Sequence, residues 1–595
     1  MTHLTSVNKG FIFKQMKTNK GISASPGVYI GKVYLYQEER LKVPKYQIEK
    51  EEIEFEFSRF LVAIEKAKSE LEAIKDATKI MNISENEVVM LDSHIMMISD
   101  ESFINQINGL LCEKLLNVES IFYEAIGTQI EKLSASQNTY MEERVSDLRD
   151  IAKRILNNLM FRERIKLTDL KSKCIIVAHD LLPSDAIEMD KQNVKGIILD
   201  VGGRTSHTAI IARSFEIPAV VGLFNITRNV KTGDDIILDG TAGIVILEPD
   251  EETTKIYLEK IRRQEEIDQQ LKPYVKKEAV TNDGKKIGIL ANIEVPQELE
   301  SVKSHGADGI GLFRSEFLLL QSKLYNSEDK QFEVYKTILQ NMEGKPVTIR
   351  TIDIGGDKII PNYEEIRERN PLLGWRGIRF CFSNRDMFKK QLRALYRASI
   401  HGNLRIMFPM ISNAEEVDGA LNIIEEVKRE LRATSHEFKD KIPIGIMMEV
   451  PSAVLAVEFL AKKVDFLSIG TNDLIQYTLA IDRGNEKIAY LYQMYHPALL
   501  RLIKMTADAG KKAGIPVTLC GEMGGDPRAT IVLLGLGIEG FSMSPASIPI
   551  VKKVIRNVEI KEAKEIVDTI LQNGSGTEIN TFIENWFNER FSGLF

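Results

Sequence analysis

The sequence is poor in cysteine, has no long apolar run and carries no excess of positive charge, and each shortage excludes something. Four cysteines in 595 residues, Cys112, Cys174, Cys381 and Cys520, stand without paired spacing. A disulfide framework and a cysteine-based zinc site are therefore excluded, and a reducing, cytoplasmic setting fits. No apolar run approaches the ~20 residues that a membrane-spanning helix needs, so membrane insertion is not expected. Lysine and arginine number 78 against 85 aspartate and glutamate, a formal net charge of −7. Without a basic footprint, nucleic acid is not expected as a partner. Residues 1–20, MTHLTSVNKGFIFKQMKTNK, are basic but have neither an apolar core nor a small-residue cleavage site. They read as a leader, not a signal peptide.

What is present is globular: 44% hydrophobic and 27% charged residues. The length suits roughly four domain-sized units. A strand-like piece, Val28 to Tyr36, follows the Ser25-Pro26-Gly27 turn. From about Ile48 to Phe161 glycine and proline nearly vanish, and apolar residues recur at three- and four-residue spacing (Ile53, Phe57, Phe60, Leu61, Ile64). That pattern predicts a bundle of amphipathic helices over 48–161. Its acidic turn, with Glu85, Glu87, Asp92 and Asp100, is either a solvated face or a docking surface for a basic partner. The runs CIIVA, GIILD and DIILDG then read as buried strands alternating with short helices. Pairing them with the Val28–Tyr36 strand makes an α/β unit of 21–47 and 162–248, with the bundle inserted in it. The charged stretch over 249–278 predicts a connecting helix that ends at Pro273, and a hinge.

The C-terminal part, 279–595, carries eight strand-like runs: KIGILANIE, GIGLFRSE, VTIRTID, LRIMFPMI, IGIMMEVP, DFLSIGTND, PVTLCGE and GFSMSP. Most are separated by helical patterns, which predicts a (β/α)₈ barrel. In such barrels chemistry gathers where strands end. The residues at these ends include Arg314, Glu316, Arg350, Asp353, Glu449, Asn472, Asp473, Cys520 and Glu522.

Four groups of residues carry candidate chemistry. Gly202-Gly203-Arg204-Thr205-Ser206-His207-Thr208 precedes an apolar helix, so His207 would stand at a helix start that favours anions. A neutral imidazole is a competent phosphoryl acceptor, although a lone histidine is often a core residue. Glu449 and Asp473 end two successive strands without a His or Cys partner, which suits Mg²⁺; an ion pair with a rim arginine accounts for them equally well. Arg314, Arg350, Arg376 and Arg483 are spread over several loops and together imply a small, multiply charged anion. Cys520, in LCGEMGGD, is either a buried small hydrophobe or a proton-handling group.

The motifs GGRTSHTAIIAR (202–213), RTIDIGGDK (350–358), NPLLGWRGIR (370–379), FPMI (408–411), MMEVPSA (447–453), IGTNDLIQYTLAIDR (469–483) and LCGEMGGDP (519–527) resemble enzyme I of the phosphoenolpyruvate:sugar phosphotransferase system. The resemblance runs in one order from about Gly21 to the C-terminus. It implies a swivelling α/β phosphohistidine domain with an inserted helical bundle, followed by a phosphoenolpyruvate-binding (β/α)₈ barrel that forms a homodimer. It further implies that His207 is phosphorylated and that Arg314, Arg350, Arg483, Asn472 and Asp473 hold phosphoenolpyruvate, with Arg376 as an addition. Glu449 and Asp473 would bind Mg²⁺, Cys520 would donate a proton, and the bundle would dock the phosphocarrier protein HPr in the cytoplasm. Pyruvate phosphate dikinase and phosphoenolpyruvate synthase share a similar barrel, but they need a nucleotide-binding region and this chain has no P-loop. A degenerate, purely regulatory relative is disfavoured because the motif residues are all present.

Overall fold

The computed structural model describes residues 17–36, 43–80, 94–95, 97–134, 139–160, 170, 172–181, 189–190, 192–203, 207–214, 217–316, 327–354, 370–482, 485 and 487–592. The chain forms two compact units, one up to Glu265 and one from Glu266 onward.

The first unit holds an eight-stranded sheet. Its strands are β1 (Lys17–Lys20), β2 (Ile22–Ser25), β3 (Val28–Tyr36), β4 (Cys174–Ala178), β5 (Val194–Leu199), β6 (Ala219–Val221), β7 (Asp235–Asp239) and β8 (Ile244–Leu247). They lie in the order β1-β8-β7-β3-β4-β5-β6-β2. The parallel centre, β3-β4-β5-β6, explains the unbroken apolar run CIIVA, because both faces are covered. Ile176 and Ala178 pack on one face and Ile175 and Val177 on the other. β1 and β2 flank Gly21, so one stretch of chain occupies both edges of the sheet and caps each of them. A side chain at Gly21 would meet the Val221 carbonyl oxygen at 2.7 Å. The leader expected over 1–20 is therefore shorter at its described end: Lys17–Lys20 pair with β8.

Between β3 and β4 the described residues include the helices α1 (Ile53–Ile80), α2 (Glu101–Lys114), α3 (Val118–Ser134) and α4 (Thr139–Leu159). They share a core in which Phe60, Ala63, Ile64, Ala67 and Leu71 repeat at helical spacing against Ile107, Phe122 and Ile155. Leu61, expected in that stripe, is instead exposed. Asp100 caps α2 by accepting from the Ser102 N–H at 2.9 Å. Glu85, Glu87 and Asp92 lie outside the described residues. After β5 comes the short helix α5 (His207–Ser214), and after β8 the connecting helix α6 (Glu251–Val275). Pro273 does not end α6 as expected. It sits in the last turn, where it leaves the Gln269 carbonyl without its helical donor, and the helix runs two residues further to Val275.

The second unit is a closed barrel of eight parallel strands. These are β9 (Gly288–Ile293), β10 (Ile310–Arg314), β11 (Pro346–Arg350), β12 (Asn403–Phe408), β13 (Ile444–Met448), β14 (Phe466–Ile469), β15 (Val517–Leu519) and β16 (Gly540–Met543). β16 closes on β9 with Gly540 opposite Gly288. Each of the eight runs read from the sequence holds one strand. On the outer layer the helix Ala529–Leu536 packs against Ile560–Ile570, and the approach is close. A Cβ at Gly535 would lie 2.1 Å from the Ala563 carbonyl oxygen and 2.5 Å from Val567 Cγ2. Gly535→Ala should therefore cost the barrel ~1–3 kcal/mol through overpacking. Denaturant unfolding measures this, and an unchanged midpoint refutes it.

Candidate functional site

The C-terminal ends of the barrel strands gather a buried network of charge. Arg350, the last residue of β11, donates through Nη2 to Glu316 Oε1 at 2.9 Å and stands 3.3 Å from Asp353 Oδ2. Arg376 grips Asp353 with two bonds, Nε to Oδ1 at 3.2 Å and Nη2 to Oδ2 at 2.8 Å. The same Nη2 reaches Asp473 Oδ2 at 3.1 Å, and Nη1 donates to the Tyr477 hydroxyl at 3.0 Å. Burial works against both guanidinium charges, but Glu316 and Asp353 beside Arg350, and Asp353 and Asp473 beside Arg376, outweigh it and hold both pKa values above the ordinary arginine value. Burial also pushes the Tyr477 hydroxyl up to about 12.

Glu449, just past β13, is buried and accepts the Met410 N–H at 2.6 Å. Met410 sits in the left-handed backbone region, with φ 58°. The turn opposite it needs glycine: Gly377 also has φ 58°, and a Cβ there would lie 2.8 Å from Met410 Cβ. Burial and the neighbouring Asp473 push the Glu449 carboxyl up to about 8. The rim ion pair weighed for these two carboxylates is thus realised by Asp473, through Arg376, while Glu449 takes a backbone N–H.

Other expected residues fall around this centre. Arg314 ends β10 beside Arg350 in register, yet it is over a third exposed and pairs with Glu294 at 2.6 Å. Asn472 donates to Glu522 Oε1 at 3.1 Å and accepts the Glu522 N–H at 3.2 Å. Cys520 is buried in the barrel interior with Leu312, Met407, Met447 and Phe466. Burial raises its thiol pKa, the nearby Ser468 hydroxyl opposes the rise, and Glu449, Arg350 and Arg314 all act on it. Arg483 lies outside the described residues.

In the first unit, His207 is the first residue of α5, four positions after Gly203. Arg204–Ser206 and the His207 side chain lie outside the described residues. The sequence reading passed over His179, which follows β4. Its Nδ1 lies 3.1 Å from Asp200 Oδ2, and its carbonyl accepts the Val201 N–H at 3.1 Å. Asp200 is buried and also takes the Thr227 hydroxyl at 2.5 Å. An ionised Asp200 only accepts, so Nδ1 carries the hydrogen and Nε2 is the basic nitrogen. The signal was available: two adjacent parallel strands ending in His179 and Asp200 bring those residues side by side.

Among the described residues no three His, Cys, Asp or Glu side chains form a metal cluster. The mouth still suits a divalent cation. Four buried carboxylates, Glu316, Asp353, Glu449 and Asp473, face two buried guanidiniums, Arg350 and Arg376. With the Glu449 carboxyl raised to about 8, three ionised carboxylates face the two guanidiniums at neutral pH and one negative charge is left over. A bound cation would also displace the Glu449 proton, and Mg²⁺ is commonly held by one or two carboxylates with water and substrate phosphate.

Three family descriptions match the chain: "PEP-utilising enzyme, N-terminal" over 20–144, "PEP-utilising enzyme, mobile domain" over 170–243 and "PEP-utilising enzyme, PEP-binding domain" over 268–560. The phosphoenolpyruvate-protein phosphotransferase of Bacillus sp. (strain S) is 43% identical over 574 residues, covering 96% of this chain and 98% of its own. Those of Geobacillus stearothermophilus and Bacillus subtilis (strain 168) are 42% and 41% identical, again over 96% of this chain, covering 98% and 100% of their own.

The network sets unequal costs for superficially similar changes. Glu316→Ala removes the hydrogen-bonded carboxylate of buried Arg350 and leaves the Asp353 N–H without its acceptor, and should lose ~3–5 kcal/mol. Glu294→Ala breaks a part-exposed pair and should lose about 1 kcal/mol or less. Thermal unfolding of the two variants checks this, and equal losses would refute the ranking.

Proposed function

This chain belongs to the phosphoenolpyruvate-protein phosphotransferases, and we propose that it transfers the phosphoryl group of phosphoenolpyruvate to its own His207 and then to a histidine of the carrier protein HPr, releasing pyruvate. The observation that carries this reading is the barrel mouth, where strand ends from five βα units converge on buried charges of both signs. Arg350 and Arg376 are fixed before any ligand arrives, so they can neutralise an anion without reorganising. Arg314, held at the mouth by Glu294, and Asn472, with Arg483, complete the set of phosphoenolpyruvate contacts. Glu449 and Asp473 would hold Mg²⁺, which supplies charge neutralisation at the phosphoryl oxygens.

His207 is the acceptor because it opens a helix behind a glycine turn, where backbone N–H groups favour a phosphorylated product. Cys520 holds the proton that converts enolpyruvate to pyruvate at its methylene carbon. Burial keeps the thiol protonated well past neutral pH, which supports a donor and not a nucleophile. The donor mouth and the acceptor lie in separate compact units, joined by α6, and the reaction requires them to meet. The inserted bundle α1–α4 is the docking surface for HPr, the barrel forms the homodimer, and the enzyme works in the cytoplasm. Among the described residues no helix is long and apolar enough to cross a membrane.

His207→Ala should take up no label from radioactive phosphoenolpyruvate, whereas His179→Ala should still be labelled. Label in the first variant would overturn the assignment. Cys520→Ala should lower pyruvate release ~10²–10⁴-fold with phosphoenolpyruvate binding little changed. In the parent, activity should hold up to at least pH ~8.5, because a thiol raised by burial loses its proton only above its ordinary range. Unchanged turnover in Cys520→Ala would leave that residue a packing role alone.

A further inference from the structure

The end of the barrel opposite the mouth holds an arginine that nothing neutralises. Arg405 lies two residues before Met407 on β12, so it faces the barrel interior, as Met407 does. It is half-buried and has no hydrogen-bond or ion-pair partner among the described residues. Burial lowers its pKa, and no carboxylate offsets the effect. The contrast with Arg350, Arg376, Arg393, Arg397 and Arg528 is direct, since carboxylates raise every one of those. Holding an uncompensated, half-buried charge at this end of a barrel costs free energy.

Arg405 lines a cavity of about 620 Å³ where β12, β13 and β14 begin. That is the size of ordinary small-molecule pockets, and its wall is largely apolar, including Tyr396, Ile442, Ile444 and Phe466. Three carboxylates and Lys428 also line it, and each carboxylate already has a partner. Glu425 pairs with Lys428, Asp440 with Arg432, and Asp465 accepts the Ile444 N–H at 2.8 Å. Lys441, exposed at the rim, has no partner among the described residues and adds a second free positive charge.

We propose that this cavity binds a small organic anion, with its carboxylate or phosphate against Arg405 and Lys441 and its apolar body against Tyr396, Ile442 and Phe466. The site is separate from the mouth and does not depend on the reaction assigned there. Crystals soaked with 4-bromobenzoate, or in a parallel arm with 4-bromophenyl phosphate, locate each probe by bromine anomalous scattering; the arm with higher occupancy names the anionic group. Bromine should appear in this cavity in the parent and be absent in Arg405→Met, with solution affinity for the favoured probe falling about 10- to 100-fold. Arg405→Met should unfold at no lower a temperature than the parent without probe, because it removes an unpaired charge. Lys441→Gln, an exposed change that keeps the core, should weaken binding several-fold. Bromine found only at the mouth, or equal occupancy of this cavity in parent and both variants, overturns the proposal.

Discussion

Asp353 bonds two buried guanidiniums at once, and the mouth of the barrel is arranged around that constraint. Its carboxylate takes two bonds from Arg376 and lies 3.3 Å from Arg350, while its backbone N–H donates to Glu316. Arg376 then extends the link to Asp473 and Tyr477. Side chains just after β10, on and after β11, in the 370–377 turn and on the helix Thr471–Leu479 that follows β14 are thereby fixed relative to one another. A buried ionic network of this kind contributes little net stability compared with apolar packing of the same volume. Its placement at the strand ends is therefore better accounted for by preorganised charge than by the need to fold.

Much of the barrel was legible because a strand covered on both faces leaves a simple trace. IGIMM stands between Pro443 and Glu449 as an unbroken apolar run, and it became β13. The bundle was legible through the spacing of Phe60 and Ile64, but Leu61 shows the limit of that method. Adjacent positions on a helix differ by about 100°, and the sequence does not say where the buried stripe ends. The turn at Pro273 misled for a related reason. Proline disfavours continuing a helix, yet α6 runs two residues past this one before it stops.

The partners at the mouth were harder to read. Arg314 and Arg350 look alike in sequence, since both end a strand, and they stand side by side in register. Two like charges so placed each need a carboxylate, and which one they receive depends on loops distant in sequence. Arg350 is buried with Glu316, and Arg314 stays near solvent with Glu294. His179 was missed because its orienting partner, Asp200, lies 21 residues away and is joined to it only through sheet pairing. The sequence motifs placed functional residue types at strand ends, but the choice of partner belongs to register and packing.

The two buried cysteines of the barrel show why position has to be argued separately from reactivity. Cys381 and Cys520 are both shielded from water, and burial raises both thiols. Each points its sulfur at a backbone carbonyl, that of Ile352 at 3.7 Å and that of Ile469 at 3.6 Å. Burial is the first cause of the rise in both. They differ in what surrounds them. Cys381 lies on the short helix Ile378–Ser383 and packs in the large core between the strands and the outer helices. Cys520 follows β15 inside the barrel, next to Met447, whose sulfur accepts from Arg350 at 3.5 Å. A raised thiol pKa is the ordinary result of burial, and it becomes a chemical property only where the fold also delivers a substrate to the same place.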